Sequence, residues 1–183
     1  MKRRTVFKHL AVASAAAWIL PSCISDPKKV SIALNRLEIT SDEEEMVGNI
    51  AEVIIPTTDT PGARAVGAHL FTLVMVDDCM SKDDQAKYLK GMRSFDNVMK
   101  SVTDKSFSDA SPEERLQMLT TFEASLDQFD DETKVFYNRT RAYVLQGYTS
   151  SQYFLTKIKP YQLVPGPGYK GCVPVIGDQK ILS

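Results

Sequence analysis

Histidine, cysteine and tryptophan are scarce: the 183-residue chain holds two His, three Cys and one Trp. Two histidines, His9 and His69, are too few for a multi-histidine zinc or iron site, and they leave little for imidazole acid–base chemistry. Three cysteines do not make a disulfide scaffold. None of them falls in a C-x-x-C or C-x-x-C-H spacing, so nothing points to an attached haem or an iron–sulfur cluster. An excess of positive charge is missing too. There are 22 Lys and Arg against 23 Asp and Glu, a net charge of −1, and this gives no field for a phosphate backbone, so nucleic acid is excluded as a dedicated partner. Internal repeats and low-complexity stretches are absent. What remains is an ordinary globular composition, 43% hydrophobic and 25% charged, at a length suited to one domain.

Residues 1–22 read as an export signal. Lys2, Arg3, Arg4 and Lys8 form a positive start, and Leu10 to Leu20 is an apolar run of 11 residues. A membrane-spanning helix needs about 20 apolar residues, so this run suits a signal peptide instead. Arg3 and Arg4, followed by Thr5-Val6-Phe7-Lys8, resemble a twin-arginine signal, which carries proteins that fold before crossing. Lys2 stands where Ser or Thr is usual, and a general secretory signal is the alternative. Leu20-Pro21-Ser22-Cys23 resembles a lipobox, in which the Cys23 thiol accepts a diacylglycerol and becomes the mature N-terminus; simple cleavage nearby is the alternative. The expected location is periplasmic, as a membrane-anchored lipoprotein. Cleavage before Cys23 leaves 161 residues, removes four basic and no acidic residues to give a net charge of −5, and discards Trp18.

Residues 23–40 are expected to form a linker and an extended segment, and residues 41–183 a helical domain with an irregular tail. Ser41-Asp42-Glu43-Glu44 has the spacing of a capping box, and Met46, Val47, Ile50, Val53 and Ile54 follow at helical intervals until Pro56. Thr57 to Gly62 is a turn cluster. A second helix is expected over Ala63 to Met80, apolar on most sides and thus a candidate for the buried centre. Ser81 caps a third over Lys82 to Val102, with Tyr88, Leu89, Met92, Phe95, Val98 and Met99 as its stripe. Ser111-Pro112-Glu113-Glu114 opens a fourth, with Leu116, Leu119, Phe122 and Leu126 inward. A fifth starts near Asp131, carrying Val135, Phe136, Tyr143 and Val144, and Ser150 to Lys157 adds a short helical turn. From Lys159 onward prolines and glycines rule out a regular helix, yet Tyr161, Leu163, Val164, Tyr169, Val173, Val175 and Ile176 suit a packed tail. The expected fold is all-α: a compact bundle of about five helices with an irregular Pro/Gly-rich C-terminal tail.

Candidate chemistry is thin. Gly166, Gly168 and Gly171 match the dinucleotide fingerprint literally, but Pro165, Pro167 and Pro174 and the short remainder forbid the helix that must follow. His69 reads as a core or interface residue rather than a base or ligand. Asp77 and Asp78 read as a solvated helix end, since adjacent carboxylates on a helix point about 100° apart. Asn138-Arg139-Thr140 fits the glycosylation sequon but lies mid-helix. Cys79 and Cys172 are expected either to bond, pinning the tail to the helices, or to stay as two separate buried thiols.

Three stretches carry a family resemblance: Ile54-Ile55-Pro56-Thr57-Thr58-Asp59-Thr60-Pro61-Gly62-Ala63, then Gly67-Ala68-His69-Leu70-Phe71, then Val164-Pro165-Gly166 with Tyr169-Lys170-Gly171-Cys172-Val173-Pro174. Over about residues 40–176 the sequence resembles the gluconate 2-dehydrogenase subunit 3 family, small subunits of periplasmic flavin-dependent sugar and polyol dehydrogenases. The resemblance implies a non-catalytic accessory chain with no catalytic residue, metal or cofactor of its own. FAD would sit in a large partner of the glucose–methanol–choline type, and a cytochrome or another carrier would take the electrons. The small subunit would assist folding and export of that partner. Thr58, Asp59, Pro61, Gly62, His69, Pro165, Gly166, Tyr169 and Gly171 are the candidate partner-binding residues; the alternative for the turn is that it only joins helices. The lipobox departs from the better-known members and would add membrane tethering through Cys23. The competing reading is a lipid-anchored periplasmic helical binding protein with no oxidoreductase partner.

Overall fold

Where apolar spacing is strongest, the chain is helical. The computed structural model describes residues 30–103 and 105–159. Among them every regular element is a helix: α1 (Ser41–Ile54), α2 (Ala68–Cys79), α3 (Lys82–Thr103), α4 (Pro112–Ala124) and α5 (Asp131–Thr149). A 3-10 turn (Leu126–Gln128) links α4 to α5, and a π-helical turn (Phe154–Ile158) follows α5, overlapping the segment expected to add a helical turn and running one residue past it. The all-α expectation holds. Arg3, Arg4, Cys23, the Pro/Gly-rich tail and Cys172 lie outside the described residues.

Several helix boundaries follow from their caps. Ser111 caps α4 with Pro112 behind it, and the reciprocal bond from Glu114 is present, as expected. Ser81 Oγ accepts the Asp84 amide at 3.2 Å at the start of α3, and Asp130 accepts from Thr133 at the start of α5. The α1 cap is displaced by one residue from expectation. Thr40, not Ser41, accepts the amide of residue 43, and Glu43 returns the bond to the Thr40 amide at 2.9 Å. Glu44 is thereby free to turn inward, where it is buried and accepts the Ser31 amide at 2.7 Å.

The second helix is shorter than expected. It begins at Ala68 rather than Ala63, because Gly67 takes a left-handed conformation, φ 75°, which ends the preceding turn before the helix can start. Nor is α2 the buried centre: Val74 is 38% exposed, and it is α5 that packs against α1, α2 and α3. The core lies between these helices. Val47 and Ile50 of α1, Leu73 and Val76 of α2, Tyr88, Met92 and Phe95 of α3, and Phe136 of α5 are all fully buried. Each contributes roughly 1.5–3 kcal/mol through the apolar area it removes from water. Phe95 is the hub, with ring centroids 5.5 Å from Phe107, 5.0 Å from Phe122 and 5.5 Å from Phe136, mostly edge-on. Leu116, expected inward, is 56% exposed instead, because α4 turns Met118, Leu119 and Phe122 to the core.

Residues 30–40 form no helix or strand, yet they are fastened to the helices. Asp77 of α2 is buried and accepts the amides of Asn35, Arg36 and Leu37 at 2.6, 2.7 and 2.6 Å. This corrects the expectation of a solvated carboxylate for Asp77, while Asp78 is exposed as expected: the three amides need an acceptor, and the carboxylate takes all three in charge-assisted bonds. Burial raises the Asp77 pKa, but the amides and the Arg36 charge outweigh it and hold the carboxyl below its usual range.

Candidate functional site

The connection from α1 to α2 is built from its own residues. Pro56 cannot continue α1. Glu52, in the last turn of that helix, reaches forward so that Oε1 accepts the Thr57 amide at 2.8 Å. Thr57 Oγ1 accepts the Gly62 amide at 3.1 Å, the Thr58 amide donates to the Thr60 carbonyl at 3.0 Å, and the Ala63 amide closes the ring on the Ile55 carbonyl at 2.8 Å. Residue 62 has to be glycine here: a Cβ would stand 2.6 Å from the Thr57 nitrogen and hydroxyl and 2.7 Å from Glu52 Oε2. From α5, the Tyr148 hydroxyl donates to the Pro61 carbonyl at 3.2 Å. Beneath lie Ala51, Ala63, Ala68 and Val144, a small apolar cluster joined by Phe154 from the π-helical turn. The result is a turn bonded from inside and below, with Thr58 and Asp59 exposed at its tip.

Beside this turn two cations meet on one neutral oxygen. Arg64 donates from Nη1 to Asn49 Oδ1 at 2.7 Å, and Arg115 of α4 donates from its own Nη1 to the same oxygen at 3.1 Å. Those two nitrogens therefore lie within about 6 Å of each other. Like charges at that separation repel by about 0.7 kcal/mol in bulk water and about 3 kcal/mol at an effective surface dielectric of 20. Arg115 is held by further bonds to the Phe107 and Ser108 carbonyls. Arg64 has a carboxylate within 4.0 Å, Glu45, and both side chains are about half exposed. Asn49 is almost fully buried, and its Nδ2 donor has no partner among the described residues.

His69, in the first turn of α2, adjoins the same corner. A Cβ at Gly48 would touch its Cδ2 at 3.4 Å and Arg64 Nε at 3.5 Å. The ring is half-buried, and its Nδ1 is enclosed without a hydrogen-bond partner among the described residues. Burial, then the Arg64 guanidinium, push the imidazole pKa below its ordinary value, with Glu44 partly opposing, so the ring is neutral at neutral pH. No group of three His, Cys, Asp or Glu among the described residues is placed to hold a metal ion.

The structure thus gathers Thr58, Asp59, Pro61, Gly62 and His69 at one corner of the bundle. Pro165, Gly166, Tyr169 and Gly171 lie outside the described residues. Cys79 is exposed at the end of α2, with Met75 Sδ 3.9 Å from its thiol. Asn138 is exposed and Thr140 buried in mid-α5, as the helical placement of the sequon requires. Asn49, Arg64, Arg115, Glu52 and Tyr148 were not legible as site residues. Arg64 alone had a signal, its position directly after the turn; Arg115 is 66 positions from Asn49 and had none. A separate apolar cleft of about 460 Å³ runs past Val98, Met118, Phe122 and Phe129. Its charged lining residues, Lys105 and Glu114, pair at 2.8 Å as a surface ion pair.

No described helix is long and apolar enough to cross a membrane. Neither a curated protein nor a solved structure matches the chain. The sequence profile described as gluconate 2-dehydrogenase subunit 3 matches residues 41–168, which takes in all five helices and the turn between α1 and α2.

Proposed function

The chain belongs to the gluconate 2-dehydrogenase subunit 3 family, and from that premise we propose that it is the non-catalytic small subunit of an exported FAD-dependent sugar or polyol dehydrogenase of the glucose–methanol–choline type. The flavin and the oxidation of the sugar alcohol belong to the large partner, and a cytochrome or another carrier removes the electrons. The small subunit binds the large one, supports its folding, lends it the signal that contains Arg3 and Arg4, and tethers the pair to the membrane through Cys23.

One observation carries this reading: the turn Thr57–Gly62 is a preformed protrusion, closed by its own hydrogen bonds and exposed at Thr58 and Asp59. A surface already ordered before binding loses little conformational freedom on docking. Its Gly62 and Thr57 are fixed by local geometry, which explains why such a turn keeps one shape. The test is to express the flavoprotein with and without this subunit. Active enzyme should reach the periplasm only when both are made, and Cys23→Ala should release the complex from the membrane fraction. Equal export and activity with and without the subunit would overturn the reading.

A further inference from the structure

The corner beside the turn has more donors than acceptors. Two guanidiniums share the one oxygen of Asn49, a neutral acceptor, and the buried Asn49 Nδ2 has no partner among the described residues. Glu45, the carboxylate near Arg64, stands off at 4.0 Å. A guanidinium in this position is matched best by a planar oxyanion, because its parallel N–H groups fit both carboxylate oxygens. We propose that Arg64, Asn49 and Arg115 form a receptor for one carboxylate, carried by an Asp or Glu side chain of the dehydrogenase subunit.

This rests on the reading of the chain as an accessory subunit, and it names the chemistry of the contact. A partner side chain fits better than a free anion for a physical reason. Arg64 is exposed, so a small anion there stays in contact with water and is screened by salt. A protein surface that settles on the adjacent turn excludes that water and strengthens the pair. Arg64 also follows Gly62 by two positions, so a partner gripping the turn tip is brought within reach of the cluster. Seating the carboxylate relieves the repulsion between the two guanidiniums, and it weakens the influence of Arg64 on His69.

The experiment measures affinity between the full chain and its dehydrogenase subunit, with Arg64→Ala, Arg64→Glu and Arg64→Lys beside the wild type. Arg64 is exposed, so these variants are expected to fold, and thermal unfolding checks that they do. Arg64→Ala should weaken binding by about tenfold and Arg64→Glu by more, the scale of one charge-assisted pair. An Asp or Glu to Arg change on the dehydrogenase should rescue Arg64→Glu. Wild type and all Arg64 variants binding within twofold of one another would overturn the receptor while leaving the accessory-subunit reading intact. Acetate or phosphate titrated into the free chain supplies the second arm, read by the His69 imidazole resonances and assigned with His69→Gln. If either anion moves the His69 resonances at millimolar concentration in wild type but not Arg64→Ala, while dehydrogenase affinity is indifferent to Arg64, the cluster is a free-anion site and the proposal is wrong. Failure of the wild type to bind any dehydrogenase subunit would sink both readings together.

Discussion

Asp77 Oδ1 accepts the amide of Leu37 at 2.6 Å, across 40 positions of sequence, and the same carboxylate also takes the amides of Asn35 and Arg36. A single buried side chain thus supplies the backbone partners that a strand or helix would otherwise provide. Asp77→Ala should destabilise the protein by about 3 kcal/mol, since a hydrogen bond to a charged group contributes about 1.5–3 kcal/mol and the buried Leu37 amide would be orphaned, while the exposed Asn35 and Arg36 amides can turn to water. Denaturant unfolding measures this. Because the native pKa of Asp77 is depressed, its contribution is present above the unfolded value near 4 and is lost as pH falls through the native one. Acid unfolding of wild type should therefore be steeper below pH about 4 than that of Asp77→Asn.

At the crossing of α3 and α5, a Cβ on Gly91 would stand 2.0 Å from the Glu132 carbonyl oxygen and 2.5 Å from its carbon. Backbone cannot yield as a side chain can, so Gly91→Ala must push the two helices apart. The expected loss is about 3 kcal/mol or more, which for a chain of this size lowers Tm by roughly 10 °C. A calorimetric scan within 2 °C of wild type would show that the crossing is looser than described.

His69 should titrate below a free histidine, and its stability effect has a definite sign. The unfolded chain takes up a proton near pH 6.5 while the folded ring, disfavoured by burial and Arg64, stays neutral. Stability should hence fall as pH drops below about 6.5, and His69→Gln should remove that slope. Urea midpoints from pH 5 to 8 provide the comparison, and an unchanged slope in the variant would place its origin elsewhere.

Burial raises the hydroxyl pKa of Tyr88 and of Tyr137, the latter also through its bond to Glu123. Both should stay protonated at pH values where free tyrosine ionises, near 10. Their contribution to stability is present below that pH and declines above it, as the unfolded tyrosines ionise first. Ultraviolet titration of the native protein should leave two tyrosines unreacted until it unfolds. Tyr88→Phe, which removes the 2.8 Å bond to Thr140, should cost about 1 kcal/mol.

Local pattern carried much of the fold. The stripes of α1, α3 and α5 and the Ser111 box of α4 were legible because helical period and capping chemistry act over a few residues. Thr40-x-x-Glu43 and Ser41-x-x-Glu44 satisfy the same capping rule, and the choice between them rests on Glu44 being required by Ser31, thirteen positions away. The start of α2 turned on the sign of one φ angle at Gly67, which composition does not encode. Asp77 looked like a helix-end charge because its partners lie 40 to 42 positions earlier. Of the site, the turn was legible from its Thr, Pro and Gly residues. The meeting of Asn49, Arg64 and Arg115 was not, since three separate segments supply it.

The two carboxylate clasps have a mechanical meaning. Glu44 holds the chain at Ser31, and Asp77 holds it at Asn35, Arg36 and Leu37. A force drawn along the chain from its N-terminal side meets these fastenings in sequence before it reaches the first turn of α1. The first grips the chain to α1 and the second to α2, two helices that the core already locks together. Tension from that side is thus met first by side-chain acceptors of the helical body, ahead of the backbone hydrogen bonds that open α1.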